Sequence, residues 1–180
     1  MTSTGPAAPH AHEHAHEALD ALVASGASLA VAESLTGGRL AAAVTGVPGA
    51  SRAFLGGVVS YATEVKVDVL GVPAAVVDEH GVVSAACAAA MAAGVRRLLG
   101  ASYALATTGV AGPERQEGHP PGTVFVALAG PDGLSEVVGL ALSGDRARIQ
   151  ADTVATALDL LTRRLVGKQS ASGSVAPHLR

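Results

Sequence analysis

Apolar residues follow two different periods along the middle of the chain, and the two kinds of segment alternate. Strands are predicted over residues 28–32, 54–60, 103–107, 123–129 and 134–142. Helices are predicted over residues 13–23, 38–44, 63–70, 73–79, 84–99 and 146–165. Ser84 is a favourable cap before the long alanine-rich run, and Gly100 is a typical stop after it. The turn residues 130–133 predict that the last two strands form a hairpin. Such alternation predicts an α/β domain in which helices cover a sheet.

The two ends of the chain differ in composition from this middle part. With 180 residues, the chain has the size of one domain, which we place at residues 13–166. Residues 1–12 and 167–180 are rich in small and polar residues, and we expect both segments to be disordered. Four histidines alternate along residues 10–16. This tract is typical either of an extended metal-binding segment or of a solvated helix start, and we favour the helix start.

Composition narrows the possible partners and locations. Hydrophobic residues make up 49% of the chain, yet no apolar run reaches the roughly 20 residues of a membrane span. We therefore expect a cytoplasmic protein that does not bind membranes. The net charge is −3 and the basic residues form no long stripe, so we expect no nucleic-acid partner. Cys87 is the single cysteine, which excludes a disulfide within the chain and favours a small core residue.

A polar turn interrupts the apolar pattern between the first strand and the next helix. It contains Ser34, Thr36, Gly37 and Gly38. Ser34 in such a turn is either a nucleophile or a helix N-cap, and Thr36 is another good cap, so the pattern alone leaves these roles open. Backbone N–H groups at a helix start can bind a phosphate or a developing oxyanion, and the glycines allow close approach.

Two more polar clusters follow predicted strands, at residues 61–66 and 107–113, and ligands of α/β sheets gather where such strand ends meet. A nucleophilic serine needs a base, for which the loop residue His119 is one option, while the other histidines are poorly placed. A lysine can serve when burial lowers its pKa, and Lys66 is the lysine placed to do so. The alternation of charged and apolar residues around Lys66 also fits an ordinary solvated face. Arg146 opens the last helix and is either a ligand of a phosphate or carboxylate or an exposed first-turn residue.

Five short segments, taken together and in this order, resemble the CinA C-terminal domain family. They are residues 32–38 (AESLTGG), 61–66 (YATEVK), 108–113 (TGVAGP), 121–124 (PGTV) and 143–146 (SGDR). The resemblance covers about residues 19–165. It implies a three-layer α/β/α sandwich with a mixed sheet, which self-associates as a homodimer or a higher oligomer. It implies no metal and no organic cofactor.

The resemblance also implies an activity, because family members of known activity hydrolyse the carboxamide of nicotinamide mononucleotide in pyridine-nucleotide salvage. On matching positions, Ser34 would be the nucleophile, Lys66 the general base, and Tyr61 a residue that positions this dyad or relays the proton. The residues implied near the nucleotide substrate are Thr36, Gly37, Gly38, Ser51, Thr108, Gly109 and Arg146. The alternative is a catalytically silent nucleotide-binding or competence-associated protein that keeps the fold.

The chain departs from the family pattern at two places. The loop at residues 114–119 is one residue shorter than the usual glycine-containing loop, which affects the substrate contacts implied for it. Gln150 stands where many relatives have a second arginine, which affects phosphate binding by the last helix. Many relatives also carry a preceding pyrophosphatase-like domain, whose activity we do not expect here.

Overall fold

Strands and helices alternate along the chain as the sequence predicts. The structure is a computed structural model that describes residues 8–172, with side chains described from residue 11 to residue 167. The strands are β1 (Leu29–Glu33), β2 (Phe54–Val59), β3 (Tyr103–Gly109), β4 (Thr123–Ala129) and β5 (Ser135–Ala141). The α-helices are α1 (Ala8–Ala24), α2 (Arg39–Thr45), α3 (Thr63–Asp68), α4 (Ala74–His80), α5 (Ala85–Leu99) and α6 (Arg146–Ser172). A single 3₁₀ turn at Ala50–Arg52, which the sequence did not predict, completes the elements of the described residues.

The first and last helices extend beyond the bounds predicted for them. Helix α1 begins at Ala8, so residues 8–12 are helical, and Ala11 packs on the core one turn before the buried Ala15. Helix α6 continues to Ser172, and residues 167–172 contain no proline that would interrupt its hydrogen bonds. Residues 1–7 and 173–180 of the predicted disordered segments lie outside the described residues. None of the helices within residues 8–172 has the length and apolar character needed to span a bilayer.

The five strands form one mixed sheet with the order β2-β1-β3-β4-β5. Strands β2, β1 and β3 are parallel, while β4 and β5 add antiparallel neighbours and form the predicted hairpin. Every residue of β1 and β3 is buried, as expected for parallel strands covered on both faces. The carboxyl ends of the three parallel strands therefore meet at one edge of the sheet, where the polar clusters follow them.

The two faces of the sheet differ in the size of their side chains. One face carries large apolar residues such as Leu29, Val31 and Leu105, and it packs against α1, α2 and α6. The opposite face packs against α5, and the fully buried apolar residues that the strands place on it are alanines. These alanines are Ala30, Ala32, Ala104, Ala106, Ala127 and Ala129. The arrangement gives the three layers, helix, sheet and helix, that the resemblance implies.

Helix α5 begins and ends where the sequence predicts. The Ser84 hydroxyl accepts a hydrogen bond from the Cys87 N–H at 3.1 Å, so it satisfies one of the unpaired donors of the first turn. Gly100 adopts the left-handed conformation that ends helices, with a φ of 64°. Cys87 lies on the buried face of the helix, and burial raises the pKa of its thiol. The thiol is therefore neutral near pH 7 and packs as a small core group.

Candidate active site

Ser34 and Lys66 come together at the edge where the parallel strands end. Ser34 follows β1, and its N–H donates to the Thr107 carbonyl at 2.9 Å, which ties the residue to the neighbouring strand. Lys66 lies on α3, and its side chain is only 1% exposed. The Lys66 Nζ lies 3.1 Å from the Ser34 Oγ. The alternative of an ordinary solvated face is therefore wrong for Lys66, although Glu64 and Asp68 on the same helix are exposed.

The acceptors around Lys66 are neutral, and two of them are backbone carbonyls. Its Nζ donates to the Ser60 carbonyl at 2.6 Å and to the Tyr61 carbonyl at 3.3 Å. Burial of the ammonium lowers the pKa of Lys66, and the carboxylates of Glu117 and Glu64 oppose this shift without reversing it. A neutral amine has two hydrogens and one lone pair. If the two carbonyls accept both hydrogens, the lone pair faces the Ser34 hydroxyl, which is the geometry that a general base requires.

Glu33, which the sequence did not single out as a cap, stabilises the start of α2. Its carboxylate is 1% exposed and accepts the N–H groups of Gly38 at 3.1 Å, Leu40 at 2.9 Å and Ala41 at 2.8 Å. The hypothesis that Ser34 or Thr36 caps this helix is therefore wrong. A carboxylate satisfies several N–H groups at once and complements the positive end of the helix, so it replaces a hydroxyl cap. The sequence signal was an acidic residue directly before a turn that leads into a helix.

A cavity of about 370 Å³ opens beside Ser34. Ser34, Leu35 and Tyr61 line one part of it, residues 109–116 line another, and Arg146 completes the lining. The Arg146 guanidinium donates from Nη2 to the Tyr61 hydroxyl at 2.8 Å and from Nη1 to the Gly112 carbonyl at 2.8 Å. Tyr61 therefore contacts Lys66 through its backbone carbonyl and Arg146 through its hydroxyl. Of the residues implied near the substrate, Gly109 and Arg146 line this cavity.

The shortened loop at residues 114–119 is held by hydrogen bonds within the loop and by hydrogen bonds to the segment before α5. Backbone hydrogen bonds join Gln116 and His119, which closes a tight turn. The Glu117 carboxylate accepts the Val82 N–H at 3.1 Å and the Val83 N–H at 2.9 Å, just before α5 begins. The loop is therefore fixed in place although it is one residue shorter, and its residues 114–116 line the cavity.

Two threonines implied near the substrate use their hydroxyls inside the protein. The Thr36 and Thr108 side chains are both buried. The Thr36 hydroxyl pairs with the Thr107 hydroxyl at 2.8 Å, and the Thr108 hydroxyl donates to the Val82 carbonyl at 2.7 Å. Ser51 lines a second cavity formed by residues 45–54. These three residues lie outside the lining of the Ser34 cavity, because sequence proximity to the polar clusters does not determine the direction of a side chain.

The backbone N–H groups of residues 36–38, which the resemblance implies as an anion cradle, are only partly available to a ligand. The Gly37 N–H donates to the Ser34 carbonyl at 3.1 Å, and the Gly38 N–H donates to Glu33, so neither group is left for a ligand. The N–H groups of Leu35 and Thr36 differ, since neither has an acceptor among residues 8–172. The unpaired backbone donors beside Ser34 are therefore those of Leu35 and Thr36, which overlap the predicted residues 36–38 only at Thr36.

Comparison with known proteins decides the family. The sequence model described as the CinA C-terminal domain matches residues 11–165. The chain belongs to the CinA C-terminal domain family. A CinA-like protein of Frankia casuarinae is 55% identical over 163 residues, which cover 88% of this chain and 37% of that protein. A CinA-like protein of Geobacter metallireducens is 47% identical over 156 residues, which cover 83% of this chain and 38% of that protein. The chain thus spans less than two fifths of the length of these relatives.

Solved structures of the CinA superfamily share the fold over nearly their whole length. A superfamily protein from Klebsiella pneumoniae aligns with a TM-score of 0.84 at 37% identity, covering 87% of this chain and 98% of that chain. The competence/damage inducible protein CihA from Agrobacterium tumefaciens aligns with a TM-score of 0.84 at 32% identity, covering 92% of this chain and 99% of that chain. The mixed five-stranded sheet and its helices are therefore those of the CinA superfamily.

Proposed function

We propose that this CinA-family protein is an amidase that hydrolyses the carboxamide of nicotinamide mononucleotide to nicotinate mononucleotide and ammonia. The observation that carries the proposal is the buried Lys66 amine, which lies 3.1 Å from the Ser34 hydroxyl and contacts two backbone carbonyls. A serine beside a lysine of lowered pKa is suited to acyl transfer. The family resemblance supplies the nucleotide as the substrate.

In the first half of the reaction, the neutral Lys66 amine takes the proton of the Ser34 hydroxyl. The Ser34 oxygen attacks the carboxamide carbon, and the carbonyl oxygen of the substrate becomes an oxyanion. The residue directly after the nucleophile is Leu35, and its N–H is a backbone donor for this charge. The Lys66 ammonium then protonates the departing nitrogen, so ammonia leaves and an ester forms on Ser34.

In the second half, water hydrolyses this ester. Lys66 takes a proton from the water as it attacks, and the Ser34 oxygen leaves and recovers a proton from Lys66. The sum is one amide and one water consumed, and one carboxylic acid and one ammonia formed. Lys66 returns to the neutral amine, so the same group serves both halves.

The charges around the cavity favour a substrate with a phosphate. Arg146 and Arg115 both line it, and a guanidinium binds a phosphate through two parallel hydrogen bonds. Glu114 also lines the cavity and provides an acceptor for hydroxyl groups, such as those of a ribose. The Tyr61 hydroxyl and the Gly112 carbonyl orient Arg146 from two sides.

Ammonia release from nicotinamide mononucleotide tests the proposal. The single variants Ser34→Ala and Lys66→Ala should each lose about as much activity as the double variant, because the two groups act as a unit. Ser135→Ala, an exposed serine on β5, is the matched control and should keep the activity. Additive losses in the single variants would contradict the dyad. No turnover by the pure protein, with nucleotide binding retained, would select the silent nucleotide-binding alternative.

A further inference from the structure

Gln150 connects the last helix to the residue that follows the nucleophile. It lies on α6, is 5% exposed, and donates from Nε2 to the Leu35 carbonyl at 2.7 Å. Its Oε1 accepts a hydrogen bond from the Arg39 Nε at 3.0 Å. A guanidinium can only donate, so Arg39 fixes which end of the amide is the oxygen. The amide nitrogen of Gln150 must then face Leu35.

The Leu35 carbonyl belongs to the peptide group between Leu35 and Thr36. A peptide group is planar and trans, so its N–H points away from its carbonyl. Holding the Leu35 carbonyl on one side therefore fixes the direction of the Thr36 N–H on the other side. The same contact restrains Leu35, whose own N–H precedes this peptide. Among residues 8–172, neither N–H has an acceptor, which marks both as donors kept for another group.

We propose that Gln150 is a positioning residue for the oxyanion of the reaction. Through the Leu35 carbonyl, it holds the turn after Ser34 so that the free N–H groups of Leu35 and Thr36 stay in place for the developing negative charge. The inference rests on the proposed function, because it concerns the step in which Ser34 attacks the amide. It gives Gln150 a task other than the phosphate contact that an arginine at this position would suggest.

The sharpest variant is Gln150→Glu, which keeps the size of the side chain and the acceptor for Arg39. It replaces the donor to the Leu35 carbonyl with an acceptor oxygen and adds a negative charge, which Gln150→Leu does not add. Loss of one oxyanion donor typically lowers kcat by about 10²–10³-fold, and loss of its support should lower kcat by about 10–100-fold with little change in KM. A residue that served only phosphate binding would instead raise KM. Arg148→Ala, on the same helix and exposed, is the control.

A pair-swapped variant provides the rescue. In Arg39→Gln with Gln150→Arg, the arginine can donate to the Leu35 carbonyl, while the new glutamine supplies its acceptor. We expect this variant to regain much of the kcat lost by Gln150→Glu. Thermal unfolding of each variant identifies those that fold, and Gln150→Leu replaces Gln150→Glu if the latter does not. A folded Gln150→Glu or Gln150→Leu variant with unchanged kcat would overturn the inference.

A second readout separates this inference from the proposed function. A fluorophosphonate reacts with activated serines, and its phosphonyl oxygen occupies the position of the substrate oxyanion, whatever the natural substrate is. We expect Ser34 to be labelled at least about tenfold more slowly in Gln150→Glu than in the unsubstituted protein. If the protein releases no ammonia but shows this difference, the proposed function fails and the inference stands. Equal labelling rates would overturn the inference, even if ammonia is released, and absence of labelling at Ser34 would overturn both.

Discussion

Replacement of Glu33 by glutamine tests how strongly the turn at the nucleophile depends on one buried carboxylate. The Glu33 carboxylate accepts three backbone N–H groups, two at Oε2 and one at Oε1. Glutamine has nearly the same shape, but it has one oxygen and one NH₂ group. At best its oxygen keeps the two bonds from Gly38 and Leu40, and its NH₂ group then faces the Ala41 N–H, donor against donor.

The cost follows from this count. One buried N–H loses its acceptor, which costs about 1–3 kcal/mol, and the two remaining bonds change from charged to neutral, which weakens each of them. We expect Glu33→Gln to lower the free energy of unfolding by about 2–4 kcal/mol. For a domain of this size, each 1 kcal/mol shifts the Tm by about 2–4 °C, so the Tm should fall by roughly 4–16 °C.

Urea unfolding followed by circular dichroism measures this loss directly. Glu79→Gln is the matched control, because the Glu79 side chain is 76% exposed and its carboxylate lies 3.8 Å from the His80 imidazole. An exposed charge of this kind should change stability by less than about 0.5 kcal/mol. If Glu33→Gln lost no more than the control, the carboxylate would not hold the start of α2, and the account of the turn would be refuted.

Three further predictions concern the pH dependence of the dyad, the close packing at Gly94 and the buried hydroxyl of Thr36. Burial lowers the pKa of Lys66, and only the neutral amine accepts a proton. We therefore expect kcat/KM to rise about tenfold per pH unit below that pKa and to level off at a lower pH than the one at which an exposed lysine titrates. A rate independent of pH would contradict the role of Lys66 as the general base. Gly94→Ala should destabilise the fold in urea by about 1–3 kcal/mol or more, since its Cβ would lie 2.0 Å from the Leu70 carbonyl oxygen, whereas Gly167→Ala, with open space around it, should not. Thr36→Val removes the buried hydroxyl and keeps the backbone N–H, so it should cost about 1–3 kcal/mol of stability and leave kcat unchanged; a large fall in kcat would assign the hydroxyl to the substrate site.

The fold was predictable from local signals, because its elements obey local rules. Ser84 and Gly100 delimit α5, and the turn at residues 130–133 joins the hairpin, as each residue type favours. The order of the strands in the sheet is not local, since β1 lies between two strands that follow it in the chain. No pattern within a short window carries that order.

The candidate site was predictable only in part, for a related reason. Sequence patterns drew attention to Ser34 and Lys66, but the burial of Lys66 depends on the elements that cover it. The Thr36 hydroxyl meets a partner 71 residues away in sequence, and Gln150 meets Leu35 across 115 residues. Such pairings satisfy buried polar groups and leave no trace in local composition. They explain why Thr36 and Thr108, which the resemblance implies near the substrate, use their hydroxyls for hydrogen bonds inside the protein.

The alanine face of the sheet has a mechanical consequence for the cavity. Its short side chains set how close α5 lies to the sheet, and the segment before α5 binds the cavity loop through Glu117. Enlarging one of these alanines, for example Ala104, would push the helix outward and move this attachment with it. The spacing between two layers of the domain thus sets the shape of the wall opposite Ser34, so the interior offers a route by which selection could adjust substrate fit without touching any lining residue.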